Sequence, residues 1–148
     1  MPIPASPVFT AYIASATVLG FNLLLLANNT ALSRAKAKEV VNPEDEVINK
    51  GAKVVFEAGN ALTERYRRAH RNALENIPLF LITAFLLTLT AVSTTTAYIL
   101  FGVFVAARLF HSFAYVKQIQ PWRTASFGIG AVDQLVILGV LAYQVLLA

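Results

Sequence analysis

The sequence predicts an all-α integral membrane protein, a single-domain bundle of four transmembrane helices over residues 1–148. Three observations predict it. Hydrophobic residues make up 57% of the chain and charged residues only 14%, against about 45–50% and about 25% in soluble domains, and the mean hydropathy is +0.62. The charges are sorted along the chain: residues 1–33 and 76–107 carry none, and residues 124–148 carry only Asp133. The uncharged stretches have the length that a hydrocarbon core of about 30 Å demands of a helix.

The first span is read over Val8–Asn28, about 20 mostly apolar residues. A signal peptide would need a cationic start. Met1-Pro-Ile-Pro has none, so the span is expected to be retained. Residues 76–107 are too long for one span, and the small and polar run Val92–Ala97 divides them. A second span therefore ends near Thr90 and a third begins near Tyr98. The fourth runs from about Thr124 to Leu147. Both termini then share the uncharged side. All twelve Lys and Arg lie between positions 34 and 123, which places residues 34–75 and 116–123 in the cytoplasm by the positive-inside rule. The sequon Asn28-Asn29-Thr30 falls at the cytoplasmic end of the first span, where it would not be glycosylated.

The composition also excludes function classes. With no cysteine there is no disulfide, zinc–thiolate site or cysteine nucleophile, and any thiol must arrive with a substrate. Two histidines, His70 and His111, make no metal set. Residues 34–75 hold nine Lys/Arg against seven Asp/Glu, too even a balance to bind nucleic acid.

Between Asn76 and Thr90 only about 22 Å of uncharged helix is available, less than a bilayer. The second helix must therefore begin inside Glu64–Glu75 and carry charges to the membrane surface. Such residues are costly, and they normally face the bundle interior or a wet cavity. Arg68, Arg71, Asn72 and Glu75 fall at i, i+3, i+4 and i+7, one helical face, with Pro78 a turn beyond. Arg108, His111 and Tyr115 repeat the spacing on the third helix, and Arg123 stands at the entry of the fourth. Taken alone, His111 suits a packing role between helices, Tyr115 and Trp122 suit the interfacial belt, and Arg65 and Arg67 suit snorkelling. Taken together, several guanidinia and one carboxylate suit a ligand with two carboxylates and one ammonium.

These residues also resemble a known family. Glu64–Pro78, Asn42-Pro43-Glu44-Asp45, Arg108-Leu-Phe-His111-Ser-Phe-Ala-Tyr115 and Gln120-Pro121-Trp122-Arg123 resemble the membrane-associated proteins in eicosanoid and glutathione metabolism. The likeness runs from Arg34 to Phe127, in the family's order. It implies a homotrimer with glutathione as co-substrate, bound between protomers near the cytoplasmic face. By that resemblance Arg34, Arg71, Asn72, Glu75, His111 and Tyr115 would hold glutathione, and Glu75 would take its amine. Arg68 would shape the pocket and Arg123 would stabilise the thiolate. Asp45 matches a position proposed to assist catalysis in the prostaglandin branch. That branch carries serine and tyrosine where this chain has Thr124 and Phe127, which favours the glutathione transferase branch. The implied reaction conjugates glutathione to a hydrophobic electrophile, with reduction of a lipid hydroperoxide open to the same thiolate. A prostaglandin E synthase-type isomerase and a non-catalytic lipid-binding scaffold are the alternatives. The membrane expected from the resemblance is the endoplasmic reticulum or a bacterial inner membrane.

Overall fold

A computed structural model describes residues 6–56 and 59–146; Met1-Pro-Ile-Pro and Leu147 lie outside the described residues. Four long helices form the chain: α1 (Pro7–Lys36), α2 (Ala61–Thr88), α3 (Thr94–Lys117) and α4 (Trp122–Leu146). Three of them, α1, α3 and α4, are long and apolar enough to cross a membrane. The first half of α2 carries the charges that hold its hydropathy down, as the shortfall between Asn76 and Thr90 implies. Even so, α2 packs on all three other helices, whereas α1 and α4 do not touch among the described residues. The bundle is thus built around an α2–α3 pair, with α1 and α4 on opposite sides.

Helix ends follow local chemistry. Pro7 enters α1 where a missing N–H costs nothing, and Ser6 Oγ accepts from the N–H of Phe9 at 3.2 Å. The helix runs eight residues past the expected Asn28 because no breaker intervenes. Asn29 and Thr30 donate to carbonyls one turn back, at 2.8 and 2.7 Å, and so stay helical. Arg34 and Lys36 then sit in the last turn, where the helix dipole favours cations. Asn60 caps α2 through the N–H of Leu62, so that helix starts three residues before Glu64. Ser93 caps α3 through the N–H of Thr96, which pulls Thr94–Ala97 out of the expected turn and into the helix. At the other end of α3, Gln118 adopts a left-handed conformation (φ 63°) that turns the chain toward α4.

The all-α expectation holds, and the one small addition to the four helices lies in a connection. The α1–α2 connection folds on itself, with a 3₁₀ turn at Pro43–Val47 and a two-residue parallel ladder. In that ladder β1 (Glu39–Val40) pairs with β2 (Lys53–Val54). Glu39 anchors the connection: its carboxylate accepts from the backbone N–H of Asn60 at 2.9 Å.

The core is aromatic at its centre. Phe80 of α2 stacks on Phe104 of α3 with centroids 4.1 Å apart and meets Phe101 edge-on at 5.8 Å. Ala69, Ala73 and Ala84 on the buried face of α2 let the helices approach closely. Two polar ties cross the interior, Asn22 to Ser112 at 3.1 Å and Gln134 to Thr83 at 2.9 Å. In hydrocarbon each such tie is worth about 0.6 kcal/mol.

Candidate functional site

The polar residues gather at the charged end of the bundle, on three separate parts of the molecule. The first lies inside the bundle. Arg108 is 2% exposed, among the most deeply buried of the larger side chains. Its guanidinium donates to Asn72 Oδ1 at 3.5 Å and to the Phe127 carbonyl at 3.1 Å. The rings of Phe104 and Phe127 each lie 5.3 Å from it. Its Nε has no partner. Gly130 makes room for it, since a methyl group there would overlap the guanidinium. Because Arg108 is sealed in, it has little space to yield. Gly130→Ala is therefore expected to cost about 1–3 kcal/mol and to lower the thermal unfolding midpoint in detergent by several degrees. An unchanged melt would show that the guanidinium moves freely.

The neighbouring buried residue on α3 is His111. Its Nδ1 lies 2.9 Å from the Arg123 carbonyl and 3.4 Å from Ser126 Oγ. A carbonyl only accepts, so Nδ1 carries the hydrogen, and in the neutral ring Nε2 is left as an acceptor without a partner in the bundle. The Arg123 side chain turns the other way and lies over the Tyr115 ring at 4.8 Å. His111, Tyr115 and Arg123 thus form one connected group. Ser126, a residue that the sequence analysis did not single out, belongs to it as well. Its place one turn after Arg123 was the available signal. Thr124 is not part of the group. It faces outward and bonds Gln120 at 3.2 Å.

The second part is the outer face of α2. Arg71 Nε and Glu75 Oε1 pair at 3.2 Å, with side chains 82% and 57% exposed, and Arg68 is exposed beside them. Of the two settings expected for this face, bundle interior or wet cavity, the interior of a single chain receives one residue. That residue is Asn72, because Ala69, Ala73 and Ile77 take the packed side and rotate the charges outward. An exposed pair of this kind adds about 0–1 kcal/mol to stability, so its value to the protein is not in folding.

The third part is a cavity of about 330 Å³ under the α1–α2 connection. Arg34 from the end of α1 and Asp45 from the 3₁₀ turn both line it, with Lys38, Glu39, Asn49 and Lys50. Arg71 and Glu75 are not among its walls.

A family model, that of the MAPEG family, matches residues 12–143. The chain belongs to the MAPEG family. Microsomal glutathione S-transferase 1 of Homo sapiens is 39% identical over 127 residues, which cover 83% of this chain and 81% of that protein. The protein of the same name from Rattus norvegicus is 37% identical over 126 residues, with the same coverage. Prostaglandin E synthase of Homo sapiens is 29% identical over 126 residues, covering 84% of this chain and 82% of its own. In this MAPEG protein the three polar parts share one end of the bundle, yet a single chain leaves the Arg71–Glu75 pair open to the outside.

Proposed function

We propose that this protein is a membrane-bound glutathione transferase, with glutathione as co-substrate and a hydrophobic electrophile as acceptor. The observation that carries the reading is the placement of Arg123, a permanent cation held over Tyr115 beside His111, in a chain 39% identical to a microsomal glutathione S-transferase 1. Prostaglandin isomerisation draws less support, since that relative is 29% identical and Phe127 has no hydroxyl.

Glutathione carries two carboxylates, an ammonium and a thiol. In this reading Arg71 and Glu75 meet the carboxylate and ammonium of one end, Asn72, His111 and Tyr115 donate or accept along its length, and Arg68 shapes the edge. Arg34 and Asp45 would close the site from a neighbouring protomer. The outward Arg71–Glu75 pair, apart from the Arg34 cavity, supports a homotrimer with shared sites. Thr124 could enter only if its bond to Gln120 were exchanged for one to the ligand.

At Arg123 the thiol would lose its proton to solvent. The sulfur then attacks an electrophilic carbon, a C–S bond forms, and the leaving group departs with its electron pair. With a lipid hydroperoxide the sulfur attacks the terminal oxygen and the O–O bond breaks. The lipid leaves as an alkoxide that takes a proton from solvent to become the alcohol, and a second glutathione thiol converts the resulting sulfenic acid to the disulfide with release of water. The acceptor reaches the site from the bilayer, so its local concentration follows partitioning and the remaining gain follows proximity. The charge sorting supports a site facing the cytoplasm, in the endoplasmic reticulum or a bacterial inner membrane. Equilibrium binding of glutathione to the detergent-solubilised protein tests the reading. Saturable binding with a thiolate absorbance at neutral pH is expected; absence of binding would remove the transferase assignment and leave a lipid-binding scaffold.

A further inference from the structure

Arg108 is buried where α2, α3 and α4 meet, without a carboxylate partner among the described residues. Its guanidinium reaches Asn72 of α2 and the Phe127 carbonyl of α4. A buried charge is costly, and joining helices does not require one. Asn22 with Ser112 and Gln134 with Thr83 do so through neutral groups. What a charge adds is direction. A guanidinium only donates, so the oxygen of the Asn72 amide is the atom that can meet it. At 3.5 Å the bond itself is long, but a full charge in the bundle interior is weakly screened and orients the amide dipole as well. The Nδ2 group is thereby turned away from Arg108. Among the described residues it donates to nothing, and it is not sealed from solvent. Asn72 is half-buried, follows Arg71 and shares a helical face with Glu75, the two exposed residues of the outer pair.

We propose, on the glutathione reading above, that Arg108 is a positioning residue: it holds the Asn72 amide so that Nδ2 alone faces the ligand, as a donor to a carboxylate or a peptide carbonyl. Arg108 has almost no surface to offer a ligand, so its effect passes through Asn72. A freely turning amide would present its oxygen as well as its nitrogen, and would accept from the ammonium and amide N–H groups of glutathione. Fixing it removes that ambiguity, and it also removes the entropy cost of ordering the side chain on binding. Glu75 is then left as the acceptor for the ammonium, with a donor beside it for the acidic part of the same molecule.

The test is equilibrium binding of glutathione to the full chain in detergent, by titration calorimetry, for the wild type, Asn72→Ala, Arg108→Met and the double variant. Asn72→Ala should weaken binding about ten-fold where the acceptor is a neutral carbonyl, and up to about hundred-fold where it is a carboxylate. Arg108→Met should weaken it about three- to ten-fold, because the amide is freed to turn. In the Asn72→Ala background the same change should do little, since no amide is left to aim. Losses that multiply would show Arg108 acting by its charge or through the fold at large, and would overturn the proposal. Asn72→Asp reads the orientation without touching Arg108. Its carboxylate keeps the contact with the guanidinium but offers no donor, so the thermal midpoint should hold while binding falls at least as far as with alanine. Binding as tight as the wild type would mean that the amide accepts from the ligand, which overturns the proposal as well. A wild type that does not bind glutathione would remove the glutathione reading and this proposal together; a wild type that binds while the losses multiply removes this proposal alone.

Discussion

Replacing Arg123 with leucine is expected to abolish the thiolate absorbance of bound glutathione at neutral pH. A free thiol of this type is about 3% ionised at pH 7, with its midpoint near pH 8.5. An adjacent guanidinium that lowers the midpoint to about pH 6.5 contributes about 2.7 kcal/mol and raises the ionised fraction to roughly three quarters. Favouring the charged form means the gain in thiolate is largest about midway between the two midpoints, near pH 7.5, and fades as the pH falls below about 6.5 or rises past about 8.5. The leucine variant should therefore lose about 25-fold in thiolate at pH 7 and recover it only as the pH passes about 8.5. Its activity should fall by less, since a more basic thiolate is the better nucleophile. Glutathione affinity should stay within a few-fold, because His111 is held by the backbone carbonyl of residue 123 and not by its side chain. The measurement is the ultraviolet difference spectrum titrated from acid to alkali. A variant that titrates like the wild type would move thiolate stabilisation to Tyr115 or Thr124.

The second large effect belongs to the outer face of α2. Arg71→Ala and Glu75→Gln should each raise the glutathione Michaelis constant about ten- to hundred-fold, the loss of a hydrogen bond to a charged group being worth about 1.5–3 kcal/mol. Thermal stability should hardly change, because the two side chains are exposed and their pair contributes little to folding. That separation distinguishes a binding role from a structural one. If either variant bound glutathione normally, the outer face would have to be removed from the site. The double variant should lose less than the sum of the two, since each residue also orients the other at 3.2 Å.

Much of this organisation is legible along the chain, for a reason specific to membranes. Hydrocarbon length and the cost of charge act on consecutive residues, so stretches without Lys, Arg, Asp or Glu announce the spans directly. The shortfall after Asn76 likewise announced that α2 carries its charges to the surface. Errors gathered at the ends. Ser93 and Asn60 extend α3 and α2 by capping their first turns, and such hydrogen bonds leave little trace in hydropathy.

The four helices, their order, the charged end of the bundle and the residue types proposed for a thiol-activating site can all be read along the chain. Tertiary structure decided which way each face looks. Spacing put Arg68, Arg71, Asn72 and Glu75 on one side of α2, but only the packing of Ala69, Ala73 and Ile77 turned three of them outward and left Asn72 to meet Arg108. The same packing joined His111 to the carbonyl of Arg123 and to Ser126. Helical period assigns residues to a face. The rotation of that face depends on side-chain volumes contributed by other helices, dozens of residues away in the chain.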